Sequence, residues 1–180
     1  LRRCTNLTDL VLTSCNITDE QLLPIIEEIG GHHMLTNLEL DENRIGDAGC
    51  DALATLLKDS SCILRQLKLP SNNITNEGAT TIANSLTHNT KLDSLHLKQN
   101  QIDTPSARDV FSKLLCSTSS INHTYSSNHT LKAITGIWRQ DESNDRLPNF
   151  LLLNAGTNKR DVAMKKILRY HPNIDMEPLF

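Results

Sequence analysis

The sequence predicts an α/β solenoid, a stack of strand–turn–helix units, and three observations carry that reading. The pattern Leu-x-x-Leu-x-Leu occurs four times, as Leu7-Leu10-Leu12, Leu35-Leu38-Leu40, Leu64-Leu67-Leu69 and Leu92-Leu95-Leu97. Its first leucines are spaced by 28, 29 and 28 residues, the scale of architectures that repeat one supersecondary element. Between the copies lie helix-start signals and apolar residues at helical intervals.

Within each copy the leucines alternate, so they face one side of a strand and the residues between them face the other. A polar pair follows, then Asn43, Asn72 or Asn100, with Cys15 in that place in the first unit. An asparagine side chain bonds backbone groups where a chain turns, and equal placement stacks these amides into a ladder. Ile17, Ile45, Ile74 and Ile102 come next and pack beneath the turn. Thr18-x-x-Gln21 fits a capping box at the first helix. Asp47, and Thr75 or Asn76, suit the starts of the second and third. Thr104 before Pro105 reads as an N-cap followed by a first-turn proline. The helices carry Leu22, Leu23, Ile26 and Ile29; Leu53, Leu56 and Leu57; Ile82 and Leu86; and Val110, Phe111, Leu114 and Leu115. Gly30-Gly31 ends the first of them.

The pattern weakens after residue 115. The chain therefore divides into four regular units (1–115), a degenerate fifth unit with a polar loop (116–146), and a last strand–helix unit (147–180). That last unit is expected to act as a C-terminal cap with an irregular tail after Pro172. The interval places a fifth start at Ile121, although Thr124 and Ser126 stand where the next leucines belong. Residues 131–138 read as a short helix ending near Trp138, which plugs the irregular unit. Asp141 to Asp145 is a polar loop. Leu147, Phe150 and Leu152 read as strand, and 159–170 as the final helix. Its Val162, Ala163, Ile167, Leu168 and Tyr170 are expected to face inward. Lys159, Arg160, Lys165, Lys166 and Arg169 are expected to face solvent.

These residues resemble the ribonuclease-inhibitor type of leucine-rich repeat. The resemblance rests on the alternating 28/29 period, on L-x-x-L-x-L-x-x-N-x-I at Leu35 to Ile45 and Leu64 to Ile74, on Gly46-Asp47-Ala48-Gly49, and on the helix alanines Ala48, Ala52 and Ala54. It covers residues 4–115. It implies a right-handed horseshoe with a parallel concave sheet and convex helices. The family includes ribonuclease inhibitors, Ran GTPase-activating proteins and the sensing ends of nucleotide-binding immune receptors, so the fold does not choose a function.

Composition narrows the field. Aromatic residues make up 3% and hydrophobic residues 38% of the 180 residues, which suits a ridge of leucine, isoleucine and alanine. The net charge of −3 comes with no clustered basic face of the kind nucleic acids require. No apolar run approaches the roughly 20 residues of a membrane span. Five cysteines without tight spacing form neither a disulfide framework nor a zinc site. Cys15 and Cys50 read as buried reduced thiols, which favours a cytoplasmic setting. Asn6, Asn16, Asn73, Asn122 and Asn128 begin N-x-S/T sequons, of which Asn16 and Asn73 are explained by the repeat itself. No secretory signal precedes the first strand, and Leu1 leaves no room for a polar cap. Both features lead to the expectation of a fragment from a longer repeat-containing chain. No phosphate loop, nucleophile elbow or metal motif occurs, and His32-His33 has no ligand partner at metal spacing, so no cofactor is expected.

The residues between the leucines carry the functional expectation. If the leucines face the core, the concave side presents Asp9 and Val11; Asn37, Glu39, Asp41 and Glu42; Gln66 and Lys68; and Ser94, His96 and Lys98. Strands about 4.8 Å apart make Val11, Glu39, Lys68 and His96 one lateral row, and Thr13, Asp41, Pro70 and Lys98 the next. An acidic patch thus lies beside a basic one. The expected function is non-enzymatic docking of a protein partner on this face. Two alternatives stand beside it. One is a GTPase activator of the Ran type, for which Arg44 is the candidate arginine supplied in trans. The other is the sensor region of a nucleotide-binding receptor.

Overall fold

The computed structural model describes residues 6–137 and 147–173. Five three-residue strands, β1 (Asp9–Val11), β2 (Asn37–Glu39), β3 (Gln66–Lys68), β4 (Ser94–His96) and β5 (Ala133–Thr135), form one parallel sheet in chain order. Helices α1 (Asp19–Ile29), α2 (Asp47–Lys58), α3 (Asn76–Ser85) and α4 (Thr104–Leu115) return the chain between strands. A short α5 (Ile121–Ser126) precedes β5, and α6 (Leu147–Asn154) and α7 (Lys159–Tyr170) follow it. The architecture is a right-handed α/β solenoid.

The core is the ridge the leucine pattern predicts. Leu10, Leu38, Leu67, Leu95 and Ile134 pair side by side across the sheet. Leu38, Leu67 and Leu95 are fully buried, each contributing about 1.5–3 kcal/mol of transfer free energy. Ile45 and Ile74 are buried beneath their turns as expected, as is Ile17, while Ile102 is half-buried against the same core.

Asparagine amides tie one unit to the next. Asn72 Nδ2 donates to Leu40 O of the preceding unit (2.9 Å) and to Leu69 O and Pro70 O of its own (both 3.1 Å). Its Oδ1 accepts from Ile45 N (3.0 Å). Asn43 makes the same set, with Cys15 N and Ile17 N both donating to its Oδ1. Asn100 does likewise with Leu69 O and Ile74 N. Cys15, expected to be a buried thiol, is exposed: it occupies the ladder position of the first described unit, and its sulfur bonds Thr13 O. Cys50 is buried as expected, and burial beside Asp47, Asp19 and Asp51 pushes its thiol well above the ordinary range.

A second set of inter-unit bonds sits at the helix starts. Asp47 Oδ1 accepts from Thr75 N and Gly78 N (both 2.9 Å) and Oδ2 from Thr75 Oγ1 (2.6 Å). Asp19 holds Gly46 N at 2.7 Å, and Asn76 holds Asp103 N at 2.8 Å. Asp47 therefore does not cap its own helix, which starts from Gly46; its carboxylate reaches the next one. This explains the glycines: a Cβ on Gly78 meets Asp47 Oδ1, and one on Gly49 meets Asp19 Oδ1 at 2.6 Å. The capping box at Thr18 and Gln21 and the cap at Thr75 form as expected. The α4 cap is Asp103, not Thr104, since the Asp103 carboxylate reaches Ser106 N. The first helix stops at Ile29 with Gly30 following it in right-handed geometry, and Leu23 faces solvent.

The C-terminal third departs from the sequence reading. The fifth strand does not start at Ile121, which opens α5 and is exposed. Thirty-nine residues separate the paired His96 and Thr135, against 28 or 29 for the earlier pairs. The extra length folds as α5, where Thr124 is buried because its hydroxyl bonds Ser117 O (2.7 Å) and Ser120 O (3.1 Å). The expected helix at 131–138 is instead β5, with Leu131 and Ile134 as its core leucine equivalents; Trp138 and the 141–145 loop lie outside the described residues. Gly136, at φ +93°, stands in the third leucine's place and brings its backbone against Leu97 and Lys98, closer than any side chain allows.

The expected strand at 147–152 is helix α6, burying Phe150, Leu151 and Asn154 at helical spacing. The final helix spans 159–170 as expected, but Leu168 is 51% exposed and Lys166 is fully buried, the reverse of the expectation for both. The tail beyond Asn173 lies outside the described residues.

Replacing Asn72 by alanine leaves Ile45 N–H without a partner in a buried turn and removes one of the two amides that Leu40 O accepts from. The expected cost is about 2–3 kcal/mol, read from urea unfolding midpoints. Asn100→Ala is expected to cost less, because Asn100 is half-buried and water reaches the groups it leaves.

Candidate concave face

Short strands position this surface. Each contributes two outward side chains flanking one core residue, and the turn after it adds two more. The register places Asp9, Asn37, Gln66, Ser94 and Ala133 in one row and Val11, Glu39, Lys68, His96 and Thr135 in a second. A third row at the strand ends holds Thr13, Asp41, Pro70 and Lys98. Each residue expected on this face from the sequence is half-buried or exposed there.

The rows are cross-linked by side chains. Asn37 Nδ2 donates to Asp9 Oδ1 in the first row. In the second, Lys68 Nζ meets Glu39 Oε1 at 2.6 Å, a half-exposed ion pair of about 0–1 kcal/mol. His96 is held between Ser94 Oγ at Nε2 (2.9 Å) and Thr135 Oγ1 at Nδ1 (3.2 Å). In the third row Thr13 Oγ1 donates to Asp41 Oδ2 at a long 3.4 Å. Beyond it, Ser14 Oγ donates to Glu42 Oε2 (2.6 Å) and Ser71 Oγ to Gln99 Oε1 (2.9 Å).

The turn itself is unusual. Ser14, Glu42, Ser71 and Gln99 all have φ of 54–57°, a conformation side-chain-bearing residues rarely adopt. It recurs in each regular unit because it aims the backbone N–H of Ser14, Glu42 and Ser71 at the next unit: Ser14 N bonds Asp41 O, Glu42 N bonds Pro70 O, and Ser71 N bonds Lys98 O, each at 2.9 Å. The rim side chains, Glu42 among them, are thereby fixed in direction.

Charge divides the face. Asp9, Asp41 and Glu42 lie toward the first two units, and Lys98 lies at the fourth. Glu39 and Lys68 neutralise each other between them. Burial, then Lys68 and Lys98, depress the His96 pKa against the opposing pull of Asp41 and Glu39. His96 is therefore neutral at pH 7.

The β5 residues Ala133 and Thr135 extend this face and were missed from the sequence, because the fifth unit was started ten residues early. The signal that locates it is Asn128-His129-Thr130-Leu131, which repeats Asn89-Thr90-Lys91-Leu92. Both asparagines accept from the backbone N–H two and three residues on, setting up the strand that follows. Arg44 is exposed, and among the described residues no cluster of metal ligands forms, at His32-His33 or elsewhere. Of the sequons, Asn128 is buried with its amide bonded to Leu86 O and Asn89 O, which leaves it no access to a glycan.

The sequence model of the family described as leucine-rich repeat matches residues 3–23, 31–54, 60–83 and 88–109. Over 111 residues the chain is 32% identical to "NACHT, LRR and PYD domains-containing protein 3" of Rattus norvegicus, covering 62% of this chain and 10% of that protein. Over 110 residues it is 32% identical to the ribonuclease inhibitor of Mus musculus, covering 61% of this chain and 23% of the inhibitor. The chain thus spans only a small part of the length of the curated relatives it matches. Two solved structures share the fold across nearly all of the chain. The C-terminal domain of tropomodulin from Caenorhabditis elegans superposes with a TM-score of 0.66 at 16% identity, covering 91% of this chain and 90% of that one. Leiomodin-1 actin-binding site 2 gives 0.62 at 19% identity, covering 95% and 88%.

Substituting Lys68 by methionine removes a positive neighbour from His96 and releases Glu39 to act on it. The His96 pKa is expected to rise in an NMR titration. A depressed histidine makes the folded state bind fewer protons than the unfolded chain, so stability falls as pH drops below about 6.5. That loss should shrink in the variant.

Proposed function

The chain belongs to the leucine-rich repeat family, in its ribonuclease-inhibitor form, and we propose that it is a non-catalytic protein-interaction module that docks a protein partner on the concave face. The observation that carries this reading is the charge division. Asp41 and Glu42 stand at one end and Lys98 at the other, on a rim whose backbone geometry is the same in each regular unit. Such a surface steers a partner of opposite pattern and fixes its orientation. We place the protein in the cytoplasm, which suits free thiols at Cys15, Cys50, Cys62 and Cys116.

The second reading is a sensor region within a nucleotide-binding receptor, favoured by the NACHT-containing relatives and by the tenth of their length that the chain matches. A nucleotide-binding domain in the same polypeptide supports it. Further repeats without such a domain support a free-standing module. No feature of Arg44 favours the GTPase-activating alternative.

Affinity capture with mass spectrometry names the partner, and association kinetics then test the face. Reversing Asp41 and Glu42 to lysine is expected to slow association about tenfold at low salt and to weaken its salt dependence. Asp51→Lys, on exposed α2 surface, is the control and should leave the rate unchanged. Equal rates for wild type and the double variant at low salt would remove the concave assignment.

A further inference from the structure

Lys166 is a charged side chain in the wrong place. It is fully buried in α7, among the apolar residues Val162, Ala163 and Ile167 that seat this helix. Its Nζ reaches Leu115 O at the end of α4 (2.5 Å), Asn128 O (3.2 Å) and His129 Nδ1 (3.1 Å). An ammonium has three protons and no lone pair, so this contact requires three acceptors. The two carbonyls qualify at once. The ring nitrogen qualifies only because His129 Nε2 lies 3.0 Å from Tyr125 O. A carbonyl only accepts, so Nε2 carries the ring proton and Nδ1 presents its lone pair to Lys166.

We propose that His129 and Lys166 form an acid-sensitive latch, in which protonation of His129 releases α7 from the repeat stack. An incoming proton has one free nitrogen to occupy, Nδ1, and Lys166 already points a proton at it. Protonation therefore replaces a hydrogen bond with an imidazolium facing an ammonium in a buried contact. Neither charge is tolerated there without a partner, and the helix carrying one of them must move.

The other titratable groups around the contact do not supply this switch. Cys116 at the end of α4 is buried with its thiol raised by desolvation. Tyr125 takes part through its backbone carbonyl. Lys159, on α7, adds positive charge that opposes protonation of both partners. His123, on α5, bonds Ser119 and Ser120 at the surface. His171 must donate from Nε2 to Thr124 Oγ1 (2.8 Å), because the threonine proton is committed to backbone carbonyls, and protonating His171 leaves that bond intact. Helix α6 carries no titratable side chain.

The electrostatics agree with the geometry. Burial, then Lys166, lowers His129 to about 4, and burial lowers Lys166 to about 7. Both groups bind protons less readily docked than free, so acid favours release. For His129 the window runs from the free histidine value near 6.5 down to about 4.

Hydrogen exchange of this chain, corrected to protection factors at each pH, tests the latch. Protection over 159–170 is expected to fall about a hundredfold between pH 7 and pH 4, while α2 and α3 change by less than about threefold. His129→Asn keeps an acceptor near the Nδ1 position but does not titrate, and should hold α7 protected at pH 4. Lys166→Met removes the opposing charge but not the burial of His129, and should lessen the fall without abolishing it. If wild-type α7 loses no more protection than α2, or if His129→Asn shows the wild-type fall, there is no latch. Should Lys166→Met not fold, the wild type and His129→Asn decide the question alone.

Discussion

At each turn some backbone groups find no partner in the sheet ladder, and Asn43, Asn72 and Asn100 supply partners for them. One amide bonds two carbonyls of its own turn, one carbonyl of the unit before it and an N–H that would otherwise be buried unpaired. Strands of three residues contribute too few ladder bonds to hold such a sheet alone. The turn geometry, the buried isoleucine beneath it and the direction of the rim side chains all depend on these amides. Asp19, Asp47 and Asn76 act in parallel at the helix starts, so each unit is clamped to its neighbour at two heights.

A third line of polar bonds runs along the opposite end of the strands. Asn89 donates to Leu57 O, Asn128 to Leu86 O and Asn89 O, and Asn154 to Asn128 O and Leu131 O. Asn154 continues this line from within α6, where helix α7 and not a strand comes next among the described residues. Its Oδ1 is buried without a hydrogen-bond partner among the described residues, whereas the other two asparagines each accept from two backbone N–H groups; Gly156 N, two residues on, bonds Leu153 O instead. The repeat logic thus persists one step past β5. Lys166 then bonds Asn128 O as well, so α7 is fastened to the same line that organises the repeats.

This arrangement separates stability from recognition. The buried amides and leucines are committed to neighbouring units. The residues between the leucines have only lateral bonds such as Glu39 to Lys68, worth little to the fold. Their identities vary from unit to unit while the backbone beneath them repeats, and binding surfaces on solenoids are built from such freedom.

The sequence by itself determined the four regular units, the parallel register, the asparagine ladder and the rows of the concave face. Each follows from local periodicity: a strand side chain has two faces, and a fixed interval brings equal positions together. The start of the fifth unit was also written locally, in Asn128 to Leu131, but it was obscured by an insertion that breaks the interval. Only the tertiary structure decided the rest. Lys166 and Leu168 exchanged places because burial of a helix face depends on what lies across from it. Three acceptors from α4, Asn128 and His129 converge there, and their meeting point is not encoded in the spacing along α7. Cys15 is exposed for the same kind of reason: its own unit resembles the others, and its exposure depends on what packs against it rather than on the repeat.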